Sequence, residues 1–359
     1  MKVGILTIND NDNYGNRLQN YAVQQSLSKM NLEVETIKNS GILNVYEKNI
    51  FRRILRKVKF LIVMGKKKVN GINNKRYKCF RNFNKNIKYN KKYINPLEKK
   101  INAQYDMFFV GSDQVWNTTF NRLTYIDLLG FADPKKRIAF SASFGISELP
   151  QRYHEKAKKE LLKFKSISVR EDAGKRIVEG LTQRNDIEVL VDPTMLLSSK
   201  EWDKVAKKPN QLKTNKYILN YFLGELSEKR KNEINRIAKE NGCEVINILD
   251  NNSPFYETGP SEFIYLEKNA FLICTDSFHS SVFAILYNRP FIVFDREDKT
   301  TSMNSRIETL INKFDLQNRK FEGKITKENL HHDYTEAYKI LEKEREKSIN
   351  FLKKALDIE

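Results

Sequence analysis

Residues 271–295 read FLICTDSFHSSVFAILYNRPFIVFD. The apolar run FLIC ends at Thr275, Asp276 and Ser277, an apolar helical pattern starts near His279, and Pro290 opens a second apolar run, FIVFD. Strand, helix and strand in quick succession are the unit of a parallel α/β sheet, because parallel neighbours need a crossover and a helix supplies it. In such a sheet the carboxyl ends of strands and the amino ends of helices share one edge, where anions and other ligands are held. Asp276, Ser277, His279 and Ser280 fall on that edge.

The same grammar extends in both directions. At the amino terminus VGILTI meets the polar loop NDNDNYGN, then a helical pattern from about Arg17 to Met30, then LEVETI. YDMFFV runs into Gly111, Ser112 and Asp113, and RIAFSASFG repeats the pattern of strand followed by small residues. Pro150 and a Lys/Glu-rich helix from about Tyr153 to Phe164 suggest a linker. A second series follows: SISVRE, EVLVDPTMLL, YILNYFLG, EVINIL, FLICTDS and RPFIVFD. Two series imply α/β architecture with two Rossmann-like domains facing a cleft: residues 1–164, 165–325, and a helical segment at 326–359.

The 359 residues carry a net charge of +19, distributed unevenly. Between Lys48 and Lys100 stand 19 Lys and Arg against the single acid Glu98, net +18, so the remainder is nearly neutral. FRRILRKVKFLIVM puts apolar and basic residues at helical spacing, and the stretch from Lys66 to Lys100 is basic and studded with aromatics. This excursion from the sheet suits an anionic membrane surface or a solvated insertion. Tyr77, Phe80, Phe83, Tyr89 and Tyr93 interleave with its charges as a base-stacking face would, but nothing else in the chain supports nucleic acid.

No stretch approaches the roughly 18 uninterrupted apolar residues of a membrane span, and MKVGILTIND lacks a signal-peptide pattern, so the expected address is the cytoplasm, with peripheral contact at the inner membrane face. Three scattered cysteines and four histidines form no metal or disulfide motif. Glycine-rich dinucleotide and phosphate loops are absent, so NAD and ATP have no support and no cofactor is expected.

Several residues at the inferred edges suit chemistry, each with a plainer alternative. His279 suits proton transfer, or it caps a helix or fills a core. Asp113 and Ser112 line a strand end, or Asp113 serves as a helix cap. The loop Asn9–Asn16, with Asn9, Asn13 and Tyr14, suits sugar hydroxyls, although Asn and Asp are common turn formers. Arg170, after SISV, can grip phosphate or carboxylate bidentately, or pair with Glu171 or Asp172.

Read in order, NYGNRLQNYAVQ, FVGSDQVWN, SASFG, SVRED, VDPTMLL, TDSFHSSVFAILYNRPF and SRIETLINKFDLQNR resemble the motif series of the polysaccharide pyruvyltransferase family, over about residues 1–320. GSDQVWN and TDSFH are the most specific. The resemblance implies the two-domain architecture of GT-B type glycosyltransferases and transfer of pyruvate from phosphoenolpyruvate to a sugar of a bacterial surface polysaccharide or its lipid-linked precursor. Phosphate leaves, a cyclic ketal closes, and the chemistry intrinsically requires neither metal nor nucleotide. It implies His279 as proton donor or base and Arg170 as an anchor for the donor's phosphate or carboxylate. By their place at the inferred edges, Asp113 is a second catalytic candidate, Asp276, Ser277 and Ser280 join Arg170 on the donor side, and Asn9, Asn13, Tyr14 and Ser112 fall on the acceptor side. Where some members carry an arginine, this chain has Ser277, so Arg289, Arg296 or Arg306 substitutes or the donor differs; Ser280 stands where glycine is common. A sugar-nucleotide-dependent glycosyltransferase and a catalytically silent polysaccharide-binding relative are the alternatives.

Overall fold

The computed structural model describes all residues except 10–12, 40–51, 53, 56–57, 60–61, 63–74, 92, 95–98, 298–304, 332 and 359. The centre of the Asn9–Asn16 loop, His332 and much of the basic segment before Lys75 therefore lie outside the described residues.

The chain forms two compact units, each an α/β unit on its own parallel sheet. The first comprises residues 1–73, 84–196 and 345–359. Its strands are β1 (Lys2–Leu6), β2 (Glu33–Thr36), β3 (Met107–Val110), β4 (Arg137–Ala142), β5 (Ser166–Val169) and β6 (Glu188–Val189), in the order β2-β1-β3-β4-β5-β6. Every residue of β4 is buried, and the last three of β3, as strands covered by helices on both faces must be. The core around them joins Trp116, Phe144 and Phe164 to Val110, Leu128 and Ile167.

Helix α1 (Tyr14–Ser28) begins three residues before the expected Arg17, because the Asn13 side chain accepts a hydrogen bond from Asn16 N at 3.2 Å and caps it there. The second unit comprises residues 74–83 and 197–344. Its strands β7 (Tyr217–Tyr221), β8 (Glu244–Asn247), β9 (Leu272–Thr275) and β10 (Phe291–Val293) run in the order β10-β9-β7-β8.

Three expectations about domain limits are corrected. The first sheet does not end before residue 165: β5 pairs with β4 through Ile138↔Ser166 and Ala139↔Ile167, and β6 pairs with β5, so SISV and EV belong to the first unit. Local strand grammar carries no record of the sheet a strand joins, and hydrogen bonding settles it. The helix expected as a linker, α3 (His154–Leu161), instead buries Ala157 and Leu161 in the first core. The segment 326–359 is likewise no separate piece, since its last residues return to the first unit, where Arg345 Nε donates to Met195 O at 2.6 Å and Phe351 stacks on Phe140.

Part of the basic excursion is ordinary structure too. Helix α2 (Lys75–Phe83) belongs to the second unit, where Arg76 Nη1 donates to Tyr256 O at 3.0 Å. Phe80 and Phe83 are buried and Arg17 donates to the Tyr89 hydroxyl, so the aromatics proposed as a stacking face are largely engaged.

Gly111, at the end of β3, has φ +117°, and a Cβ there would stand 2.3 Å from Phe140 O of the neighbouring strand. Because that oxygen belongs to a buried backbone, Gly111→Ala is expected to lower stability by about 2–4 kcal/mol, read as a reduced urea midpoint at unchanged slope.

Candidate active site

Each sheet has one switch point, where successive strands depart to opposite sides, and open α/β sheets hold ligands there. In the first unit it lies between β1 and β3, since β2 and β3 flank β1. In the second it lies between β7 and β9.

At the first switch point, Gln19 of α1 bridges the two strand ends. Its Nε2 donates to Thr7 Oγ1 at 2.8 Å, and its Oε1 accepts from Ser112 N at 3.0 Å. Ser112 Oγ lies 3.1 Å from Asp192 Oδ2. Arg170 follows: Nη1 meets Asp192 Oδ2 at 2.5 Å and Nη2 meets Asp113 Oδ1 at 3.0 Å. Burial opposes the charge on Arg170, but Asp192, Asp113 and Glu171 outweigh it and hold the guanidinium pKa above its ordinary value. The Arg170 and Asp192 side chains are 1% and 0% exposed, which makes the pair internal. The salt bridge expected with a sequence neighbour is instead made with residues far along the chain. Glu171 serves differently: its Oε1 accepts from Ser143 Oγ, Phe144 N and Gly145 N at 2.8–3.1 Å.

The acceptor-side candidates gather at this edge but are partly occupied. Asn9 Nδ2 donates to Ile37 O at 3.0 Å, Asn13 caps α1, and Tyr14 is fully buried.

At the second switch point, Thr275 Oγ1 donates to Tyr221 O and accepts from Ser277 N, closing β9 against β7. The Asp276 carboxylate accepts from Leu223 N at 2.7 Å and Gly224 N at 2.8 Å, and Arg296 Nε lies 3.2 Å from Asp276 Oδ2. Asp276 thus shapes the loop after β7 and draws in the arginine after β10. Ser277 caps helix α4 (Phe278–Leu286) in extended conformation without a side-chain capping bond. His279 sits in that turn, 6% exposed, its ring edge-on to Phe278 at 5.3 Å. Arg306, from helix α5 (Ser305–Lys313), stands 5.9 Å from the Phe278 ring.

The structure therefore brings together Asp276, Ser277, His279, Arg296 and Arg306 around one helix start. Arg289 does not join them. It follows the far end of α4 and its charge acts on Tyr217, the first residue of β7, at the opposite edge of the sheet.

Ser280 turns the other way, donating to Glu267 Oε1 at 2.6 Å. Glu267 is fully buried, its Oε2 has no hydrogen-bond partner among the described residues, and burial pushes its carboxyl well above the usual range despite the Ser280 bond. Nothing local betrayed this: in PSEFIYLEKN a glutamate near a helix end reads as solvated. Asp192 was more legible, since an acid after a strand with Thr two residues on forms a local cap, here with Thr194 N at 3.0 Å and Thr194 Oγ1 at 2.7 Å. Among the described residues no three His, Cys, Asp or Glu side chains cluster as a metal site requires.

Two variants separate scaffold from site. Arg170→Met leaves two buried carboxylates uncompensated and is expected to cost about 3–5 kcal/mol in chemical unfolding. For Glu267 the folded carboxyl holds its proton after the unfolded one has ionised near pH 4.5, so stability falls as pH rises above that value, by at most about 1.4 kcal/mol per unit. Glu267→Gln, which keeps the bond from Ser280, should flatten this part of the Tm profile between pH 5 and 8.

The architecture recurs among solved structures. A protein assigned as a UDP-N-acetylglucosamine 2-epimerase from Listeria monocytogenes superposes with a TM-score of 0.50 at 11% identity, over 98% of this chain and 90% of that one. UDP-GlcNAc 2-epimerase from Methanocaldococcus jannaschii gives a TM-score of 0.49 at 14% identity, over 95% and 92%. At such identity the likeness is one of fold. A comparison with curated proteins finds no match. The family model described as polysaccharide pyruvyl transferase matches residues 13–298, spanning every strand of both sheets except β1. This chain belongs to the polysaccharide pyruvyl transferase family.

Proposed function

We propose that the protein moves the pyruvyl group of phosphoenolpyruvate onto a sugar of a bacterial surface polysaccharide or its lipid-linked precursor, closing a cyclic ketal. Family membership supplies the transferase class and the sugar acceptor. The observation that carries the donor is the first turn of α4, where His279 stands at a helix amino terminus with Arg296 and Arg306 nearby.

The atoms balance without a further reactant. The enol methylene carbon gains a proton and becomes methyl, the adjacent carbon gains two bonds to sugar oxygens, and its bond to the phosphate oxygen breaks. Of the two hydroxyl protons, one ends on the methyl and the other on the departing phosphate. His279 is the group we assign to this traffic, as donor to the methylene or base toward the hydroxyl. Arg296 and Arg306 take the place of the arginine missing at Ser277, and the donor role foreseen for Arg170 passes to them. Asn9, Asn13 and Ser112, at the other switch point, mark the acceptor side in this reading, while Asp113 and Arg170 serve as its scaffold.

Phosphoenolpyruvate at about 100 times its dissociation constant should stabilise the protein by about 2.7 kcal/mol in a thermal melt, and Arg296→Met with Arg306→Met should remove that shift. His279→Asn should lower phosphate release by about 10²–10⁴. A shift with a sugar nucleotide and none with phosphoenolpyruvate would overturn this reading in favour of glycosyl transfer.

A further inference from the structure

The apolar and basic pattern of residues 50–64 is not called on by the proposed transfer. Among its described residues, Arg52, Ile54, Leu55, Val58, Lys59 and Ile62 are helical and exposed. Four of these are large and apolar, with relative exposures of 52% for Ile54, 66% for Leu55, 47% for Val58 and 54% for Ile62. At 100° per residue those four fall within an arc of about 100°, with Arg52 and Lys59 just beyond its Leu55 side. Single exposed apolar side chains are common on protein surfaces, whereas an aligned stripe over about two turns marks a contact face.

What covers such a face must also suit its charge. The segment Lys48–Lys100 holds 19 basic residues and one acid. A partner must therefore be apolar at the depth of a leucine side chain and anionic at its surface, which describes a bilayer rich in acidic headgroups. Nucleic acid offers phosphate without an apolar layer, and Phe80 and Phe83, which a stacking face would need, are buried.

We propose that this stretch lies in the interface of an anionic membrane, with Ile54, Leu55, Val58 and Ile62 among the acyl chains and the basic residues against headgroup phosphates. The attachment is interfacial, since among the described residues no helix is long and apolar enough to cross a membrane. It is independent of the pyruvyl chemistry and would hold a transferase of any donor against an acceptor carried in the bilayer.

Flotation of the full chain with phosphatidylcholine vesicles, with and without phosphatidylglycerol, tests this. Recovery is expected with the anionic vesicles, falling as salt rises from about 0.1 M to 1 M and the screening length shrinks from about 10 Å to about 3 Å. A variant with Ile54→Ser, Leu55→Ser, Val58→Ser and Ile62→Ser keeps every charge and should partition about tenfold or more weakly. Equal recovery of that variant, or of the parent on neutral vesicles, overturns the proposal. As a check against misfolding, Ile62→Trp should shift its fluorescence to the blue with anionic vesicles, and an unshifted spectrum overturns it too. Retention of a single-stranded RNA by parent and serine variant alike, with no flotation, would assign the segment to nucleic acid instead.

Discussion

One buried guanidinium organises the first unit. Arg170 stands at the end of β5, Asp113 just after β3 and Asp192 just after β6, and two ion pairs at 3.0 and 2.5 Å draw these strand ends into register. Strand pairing alone leaves the carboxyl edge of a parallel sheet loose, because the chain must leave each strand for its crossover there. A central cation between two carboxylates removes that freedom, at a desolvation cost that the two ion pairs offset. Ser112, held by both Gln19 and Asp192, inherits its position from the same network. The second unit reaches the same end by other means: Asp276 ties two amides of the loop after β7 and pairs with Arg296 after β10.

The contrast shapes the chemistry available in each unit. A charge paired inside the fold cannot grip a substrate, whereas Arg296 lies 3.2 Å from the Asp276 carboxylate and Arg306 stands over the Phe278 ring. In the proposed reading the helix start at Phe278 joins these cations in holding the anionic donor. The arginine of SVRE serves inside the first unit instead.

Much of this was legible in the residues. Every strand of both sheets was marked by a β-rich run, and TDSFH at a strand end and helix start located His279 in its observed setting. The allegiance of SISV and EVLV was not legible, because period and composition describe a strand but not its neighbour, and the pairing Ile138↔Ser166 is a long-range fact. The partners of Arg170 were hidden for a related reason: they lie 57 and 22 positions away, beyond any local pattern. Arg289 looked equivalent to Arg296 on paper, separated by a short strand, yet a parallel strand carries its two ends to opposite edges of the sheet. Glu267 was invisible because helical spacing alone could not say which face of its helix Ser280 would meet.

The route of the chain bears on how the molecule is made. Residues 345–359 belong to the first unit, where Arg345 meets Met195 and Phe351 stacks on Phe140 of β4, while nearly all of the second unit lies between them and residue 196. Domains emerging from a ribosome generally fold in the order of their synthesis. Here the first unit lacks residues 345–359 until they are synthesised, so the second unit can complete its core while the first still leaves the ring of Phe140 uncovered by its eventual partner. For that interval the nascent chain is an assembly with a finished insert inside an unfinished host.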